Sequence, residues 1–325
     1  MMRRLILVAI ALLALDGAAA AQSGKLVLYT SQPDRDASQT VEAFRKKHAG
    51  IEVEVFRSGT TEVMNKLQAE FAAGDPRPDV LLIADAVTME KLKAENRLLP
   101  HPSADLNQFP AEAYDRDRSY FGTKLITTGI VYNAAAPLKP TSWTDLLKPE
   151  AKGQVTLPSP LYSGAAAIHM AALLALPELG ADYYAQLAKN GATAARGNGA
   201  VSTAVAGGQK MYGFIVEFMA LNAKKKGSPV EFVFPKEGVS AVTEPVAALR
   251  AAKNQAAAHA FIDFILSKEG QELAVRQGYL PARRDVAPPE GFPSLDAVKL
   301  IPIDVPAAIR ADEANKRRFA ELFGG

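Results

Sequence analysis

The sequence predicts an α/β protein of two lobes, in which each lobe is a mainly parallel sheet flanked by helices. Three observations lead to this prediction: strand-like and helix-like segments alternate in the N-terminal part, a long β-rich segment leads out of it, and a second extended segment leads back. The 325 residues, 48% of them hydrophobic, suffice for two cores of ordinary size. Two extended crossings between the lobes would form a hinge beside a cleft.

The N-terminal 21 residues are predicted to be a secretory signal peptide. Arg3 and Arg4 precede an apolar run at 5–15, and small residues at 18–21 follow it. The apolar run is shorter than the roughly 20 residues that a membrane-spanning helix needs. We therefore expect cleavage after Ala21, and no cysteine follows the run that could carry a lipid anchor.

Residues 22–124 are assigned to the first lobe because they contain three consecutive strand–loop–helix units. Strand-like segments lie at 25–29, 51–56 and 80–83, and helical segments lie at 36–48, 62–73 and 88–95. Ligands of parallel sheets bind beyond the carboxyl ends of the strands, so the polar residues after each strand are candidates for a binding site. These are Ser31 and Gln32, then Ser58, Gly59, Thr60 and Thr61, then Asp85. A plainer interpretation of Asp85 and of the turn at 58–61 is that they cap the following helices.

Residues 125–238 are predicted to form the second lobe, and residues 239–325 to return to the first. The segments on which this depends are a β-rich crossing at 121–133, a strand at 154–157, a helix at 165–176, extended segments at 230–234 and 239–242, and helices at 256–276 and 306–322. The helix of the second lobe begins with Ser163, Gly164 and Ala165, after a polar turn that contains Ser159 and Tyr162. Free N–H groups and a hydroxyl at a helix N-terminus bind anions, although Ser163 as a simple helix cap is the alternative.

Two further polar residues of the second lobe are candidates. Asn198 lies between Gly197 and Gly199 at a third predicted helix start, where its amide would bind a ligand oxygen or only stabilise the turn. Glu217 lies in an apolar stretch, where a buried carboxylate without a partner is costly. Its partner would be a ligand or an in-chain Lys or Arg, unless the carboxylate reaches solvent.

The composition argues against several functional classes. The absence of cysteine excludes thiol catalysis and thiolate metal sites, and a net charge of +2 gives no reason to expect nucleic acid or an anionic membrane as partner. The four histidines are scattered, and neither H-E-x-x-H nor G-x-S-x-G occurs. We therefore predict no catalytic residues, no cofactor and no metal ligands, and keep a secreted hydrolase only as an alternative.

Several strings resemble the periplasmic substrate-binding proteins of ABC importers, in the cluster that contains ferric-ion, thiamine, 2-aminoethylphosphonate and sugar-phosphate binders. They are LVLYTSQ, PDVLLIAD, LITTGIVYN, SWTDLLKPEAKGQVTLPSPLYSGAA and AHAFIDFILSKEGQELAVRQGYLPAR. The resemblance covers nearly the whole mature chain. It implies a type II periplasmic-binding-protein fold, a monomer in the periplasm, and delivery of a small anionic solute to an inner-membrane permease with its ATPase.

The resemblance also bears on the ligand. The Ser-Gly-Ala run at Ser163 is similar to the position that holds a synergistic phosphate in ferric-binding relatives. The two tyrosines that bind iron in those relatives correspond here to Glu217 and Phe218, and their histidine after the first strand has no counterpart. We therefore expect a small oxyanion with an organic part, such as an aminoalkylphosphonate or an organic phosphate. Ferric ion with a bound anion is the alternative.

Overall fold

Two β-sheets organise the computed structural model, which describes residues 23–290, 292 and 298–324. The predicted signal peptide at 1–21 lies outside the described residues. The strands are β1 Gly24–Thr30, β2 Ile51–Arg57, β3 Val80–Leu82, β4 Leu98–Leu99, β5 Phe121–Gly122, β6 Lys124–Asn133, β7 Val155–Pro158, β8 Thr193–Ala195, β9 Tyr212–Val216, β10 Val230–Val233, β11 Ser240–Val242, β12 Pro245–Leu249 and β13 Leu280–Pro281. The helices are α1 Asp34–Lys47, α2 Thr60–Ala72, α3 Ala86–Ala94, α4 Gly164–Ala175, α5 Tyr183–Lys189, α6 Asn198–Ala206, α7 Glu217–Lys225, α8 Gln255–Leu266, α9 Lys268–Gln277 and α10 Val305–Phe323.

The first sheet has the strand order β2-β1-β3-β12-β4, and β5 pairs with β12. Strand β1 runs parallel to β2 and β3, whereas β12 is antiparallel to β3. Side chains alternate between the two faces of a strand. Leu28 accordingly packs with Phe44 of α1 and Phe261 of α8 on one face, whereas Tyr29 packs with Leu67 of α2 on the other. Helices cover both faces of the sheet. Because β1, β2 and β3 run in parallel, their carboxyl ends lie at the same edge of the lobe.

The second sheet is mixed, which corrects the prediction of a mainly parallel sheet. Strand β6 pairs antiparallel with β9, β10, β11 and β13, while only β7 pairs in parallel, with β8 and β9. The reason is that β6 is the outward crossing itself and enters this sheet in the direction opposite to its neighbours. The core of the lobe is built around Trp143, Tyr183 and Phe214, all of which are buried.

The chain passes between the two sheets at two adjacent places near residues 123 and 243, and it returns to the second sheet after α9, where β13 pairs with β6. The outward crossing lies at Thr123, between β5 of the first sheet and β6 of the second, so the predicted single segment at 121–133 is interrupted here. The return lies at Thr243 and Glu244, between β11 and β12. The crossings are bonded to each other: the Thr123 N–H donates to the Thr243 carbonyl (3.0 Å) and the Thr123 hydroxyl donates to the Glu244 carbonyl (2.8 Å).

The C-terminal helix lies elsewhere than predicted. The sequence predicts that the whole segment 239–325 belongs to the first lobe. Phe319 of α10 is instead fully buried in the core of the second lobe, where Tyr184 of α5 is among its neighbours. Helix α10 also contacts α4 and, in addition, α3 of the first lobe. The physical reason is its apolar face, which completes the second core.

Candidate ligand-binding site

A cavity of about 360 Å³ lies between the two lobes. The first turns of five helices of the described chain contribute to its wall, α1 and α2 from the first lobe and α4, α6 and α7 from the second. The residues at these helix starts are Pro33 and Asp34, Gly59 and Thr60, Ser163 and Ala165, Gly197, Asn198, Gly199 and Ala200, and Val216, Phe218 and Met219. Because the N–H groups of a first turn lack intrahelical acceptors, the cavity is rich in hydrogen-bond donors and positive dipole ends.

Hydrogen bonds join the helix starts of the second lobe. The Ser163 hydroxyl accepts the Ala166 N–H (3.3 Å), as a helix cap does, and also accepts a hydrogen bond from the Asn198 amide (3.3 Å). The side-chain oxygen of Asn198 in turn accepts the Val216 N–H (3.1 Å). Ser163 is therefore both a cap and a cavity residue, and Asn198 fixes α4, α6 and α7 relative to one another.

The first lobe places Ser31, Gly59 and Thr60 in the cavity wall. The Ser31 hydroxyl accepts the Ala84 N–H (2.9 Å), which ties the end of β1 to the loop after β3. Thr61 does not line the cavity but bridges the lobes, since its N–H donates to the Tyr162 carbonyl (3.2 Å) and its hydroxyl to the Pro160 carbonyl (3.1 Å). The lobes thus touch across the cleft, and the structure represents a closed arrangement.

Two arginines flank Tyr162 at the solvent side of the cavity. Arg57 donates to the Tyr162 hydroxyl (3.2 Å) and to the Gln32 carbonyl (2.6 Å). Arg196 stacks over the Tyr162 ring at 4.4 Å and forms an ion pair with Glu62 (3.0 Å). Because Arg57 and Glu62 belong to the first lobe and Arg196 and Tyr162 to the second, this group adds further contacts between the lobes.

Arg57, Glu244 and Tyr279 are among the cavity residues that were not predicted from the sequence. Arg57 ends β2 and directly precedes the predicted turn at 58–61, so the strand-end argument that selected Ser58 also applies to it. Glu244 follows β11, and Tyr279 precedes β13. Both are brought to the cavity by the crossings and by the pairing of β13 with β6, which no local pattern reveals.

Five predicted site residues of both lobes lie beside the cavity rather than in its wall, and each has a local role. Asp85 caps α3 by accepting the Thr88 N–H (3.0 Å), and Ser58 donates to Glu62. The Ser159 hydroxyl accepts the Leu161 N–H (3.2 Å). The remaining two are Gln32, whose carbonyl receives Arg57, and Gly164, which packs against the first lobe.

Glu217, the remaining predicted site residue, is fully buried and does not line the cavity. Its carboxylate accepts the Thr127 N–H of β6 (2.5 Å), so its partner is a backbone amide and neither Lys nor Arg. Burial raises the pKa of Glu217 to about 8. The carboxyl is therefore mostly protonated at neutral pH, which removes most of the cost of burying it.

We expect Glu217→Gln to make the protein more stable at alkaline pH. Because the pKa of Glu217 is raised from 4.5 in the unfolded chain to about 8 in the fold, its contribution is fully present below pH 4.5 and is lost as the pH rises through about 8. Glutamine cannot ionise, so at pH 9 the variant should exceed the wild type by on the order of 2–4 kcal/mol of unfolding free energy. Urea unfolding at pH 5, 7 and 9 measures this difference. The exposed Glu42→Gln is the control, and equal pH profiles for Glu217→Gln and wild type would contradict the expectation.

In the described part of the chain, no cluster of three or more His, Cys, Asp or Glu residues is arranged to hold a metal ion. Within the same residues, no helix is both long enough and apolar enough to cross a membrane.

A profile of the family described as bacterial extracellular solute-binding protein matches residues 39–299. The chain belongs to this family. The chain is similar to a protein from Serratia marcescens, an Fe(3+)-binding periplasmic protein, with 28% identity over 325 residues that cover 96% of this chain and 93% of that protein. The family places the chain among the periplasmic solute-binding proteins of ABC transporters, as the sequence motifs predicted.

Similar solved structures confirm the two-lobed, type II fold. The periplasmic binding protein AfuA from Actinobacillus pleuropneumoniae, with exogenous fructose-6-phosphate bound, superposes with a TM-score of 0.84 at 22% identity, covering 92% of this chain and 98% of that one. Iron-bound HitA from Pseudomonas aeruginosa superposes with a TM-score of 0.78 at 20% identity, covering 91% and 99%. The two relatives bind different ligands on one fold, so the ligand has to be argued from the cavity of this chain.

Proposed function

We propose that this solute-binding protein captures a small oxyanion with an organic part, such as an organic phosphate or an aminoalkylphosphonate, and presents it to an ABC permease. The observation that carries the proposal is the convergence of five helix N-termini on one cavity. Each N-terminus offers N–H donors and about half a positive charge, the arrangement that binds phosphate groups in many folds. Arg57 adds a guanidinium in the same wall.

The remaining lining supports an organic substituent on the anion. Ile126, Phe218 and Met219 give the cavity an apolar side, formed by β6 and by the first turn of α7. A volume of about 360 Å³ lies within the range of sites for small organic ligands. Inorganic phosphate alone would leave this apolar side in contact with water.

Closure supplies the mechanism. The cavity takes donors from both lobes, so a ligand that contacts both favours the closed arrangement over the open one. Thr123, Thr243 and Glu244 mark the places where the chain passes between the sheets, and we place the hinge there, close to the lobe boundaries predicted at 124 and 239. We further propose that the protein works as a periplasmic monomer after cleavage behind Ala21.

Native mass spectrometry followed by calorimetry tests the proposal. We expect the purified mature protein to bind at least one compound among phosphate esters and alkylphosphonates with a micromolar or lower Kd, in 1:1 stoichiometry. A neutral sugar without a phosphate group is the control and should not bind. Binding of the neutral sugar with equal affinity would overturn the oxyanion proposal.

Ferric ion with a bound anion is the second candidate, because the cavity wall contains the phenols of Tyr162 and Tyr279 and the carboxylate of Glu244, all oxygen ligands of the kind that Fe³⁺ prefers. Against it, burial raises the pKa of Tyr279 well above its ordinary value and thus disfavours the tyrosinate. Addition of ferric ion with phosphate separates the candidates: a strong visible charge-transfer band would establish iron binding, and we expect none.

A further inference from the structure

The most buried charged residue of the cavity wall is Glu244, which is 2% exposed. Its carboxylate forms an ion pair with Lys124, which is also buried, at 4% exposure. The Lys124 ammonium lies 4.2 Å from the centre of the Tyr279 ring, which also lines the cavity. The cavity wall thus contains a buried carboxylate that has its own buried counter-ion.

The neighbouring charges are already compensated. Asp36 is fully buried and is paired with Arg35 (2.8 Å) and with the Tyr279 hydroxyl, which donates to it (2.9 Å). Glu244 and Tyr279 line the cavity beside the first turns of α1 and α7, since Tyr279 also packs on Phe218 of α7. The two arginines at the solvent side also have carboxylate partners, because Arg57 lies 3.6 Å from Asp34 and Arg196 is paired with Glu62.

The backbone at Glu244 supports a role in binding. Glu244 has φ 37°, in the left-handed region that is costly for a residue with a side chain. Such conformations persist where the surrounding structure enforces them, and they concentrate at ligand sites. Glu244 stands in the return crossing between β11 and β12, and this position brings it into the cavity wall.

We propose that Glu244 is a specificity-determining residue, which selects oxyanions that carry a hydrogen-bond donor, a hydroxyl or an ammonium, at the end away from the anionic group. This inference rests on the proposed function. Burial raises the pKa of Glu244, and the ion pair with Lys124 opposes this rise. A carboxylate held in that ion pair only accepts hydrogen bonds, so a ligand without a donor would displace water from Glu244 without replacing its hydrogen bond. Sites built around such a buried polar group reject analogues that lack the matching group.

Three alkylphosphonates of nearly equal size test the inference by calorimetry: 2-aminoethylphosphonate, 2-hydroxyethylphosphonate and ethylphosphonate. The wild type should bind at least one of the first two 10-fold or more tighter than ethylphosphonate, and the arm with the larger gain identifies the donor. In Glu244→Gln this preference should fall at least 10-fold for the ammonium and less for the hydroxyl, because the amide oxygen still accepts but carries no charge. Ethylphosphonate, which offers no donor to Glu244, is the reference against which the preference of each variant is calculated.

The outcomes separate this inference from the proposed function. If none of these phosphonates and no phosphate ester binds, the proposed function fails. If all three phosphonates bind equally, or if Glu244→Gln keeps the wild-type preference, the role of Glu244 is overturned and the oxyanion proposal stands. Because Glu244→Gln leaves the buried Lys124 without its counter-ion, the double variant Lys124→Met/Glu244→Gln is measured as well. It removes both charges, and a preference retained by this variant overturns the inference too.

Discussion

A methyl group added at Gly59 or at Gly164 is expected to weaken ligand binding about 100-fold. A Cβ at Gly59 would stand 2.3 Å from the Tyr162 carbonyl oxygen, and a Cβ at Gly164 would stand 2.8 Å from the Ala84 carbonyl oxygen. Each distance joins the two lobes, so either alanine separates them where the closed form brings backbone against backbone. Overpacking of this kind costs about 1–3 kcal/mol, and the upper value corresponds to about 100-fold in Kd.

The open form provides the control for the glycine variants. Gly59 has φ −65°, which alanine adopts without strain, and Gly164 begins a helix, so both lobes should fold as before. We expect unchanged thermal unfolding of the unliganded variants, weak binding by calorimetry, and a radius of gyration in small-angle scattering that no longer falls when ligand is added. Wild-type affinity in both variants would show that the lobes do not need this approach.

Ser163→Ala is expected to weaken binding of an oxyanion by 10-fold or more. The Ser163 hydroxyl lies in the cavity wall at the start of α4, where it is oriented by Asn198. A hydrogen bond to a charged group contributes about 1.5–3 kcal/mol, which corresponds to at least about 10-fold in affinity. Calorimetry with the tightest ligand from the screen measures the change.

Ser267→Ala is the matched control for this variant. Ser267 caps α9 by accepting the Gly270 N–H (3.1 Å), just as Ser163 caps α4, but it does not line the cavity. Both alanine variants should lose about 1 kcal/mol of stability through the missing cap. Only Ser163→Ala should lose affinity, and equal affinities of the two variants would reduce Ser163 to a helix cap.

Strand and helix positions were predictable because hydrophobic periodicity is a local property. The predicted helix at 62–73 corresponds to Thr60–Ala72, and the one at 165–176 to Gly164–Ala175. The observed helices begin one or two residues earlier, because α2 opens with the polar Thr60 and Thr61 and α4 with Gly164, and these residues do not join the apolar pattern. The direction of β6 and the packing of α10 depend on contacts between distant segments, so the sequence alone did not reveal them.

Part of the candidate site could likewise be predicted from local sequence, and part of it depends on contacts between distant segments. Ser31 and Gly59 were predicted because they follow strands, and Ser163 and Asn198 because they lie at helix starts. All four line the cavity. Glu217 also lies at a helix start, but its side chain turns to the Thr127 N–H, and an apolar sequence cannot show which face the carboxylate takes. The carboxylate that does reach the cavity, Glu244, comes from the return crossing.

The position of α10 has a consequence for how the cleft opens. Its apolar face belongs to the core of the second lobe, and the helix also contacts α3 of the first lobe. Opening must therefore pull α10 and α3 apart in addition to breaking the contacts at the cavity. We expect this contact to favour the closed form independently of ligand, so that a permease extracting the solute would work against it as well as against the affinity of the cavity.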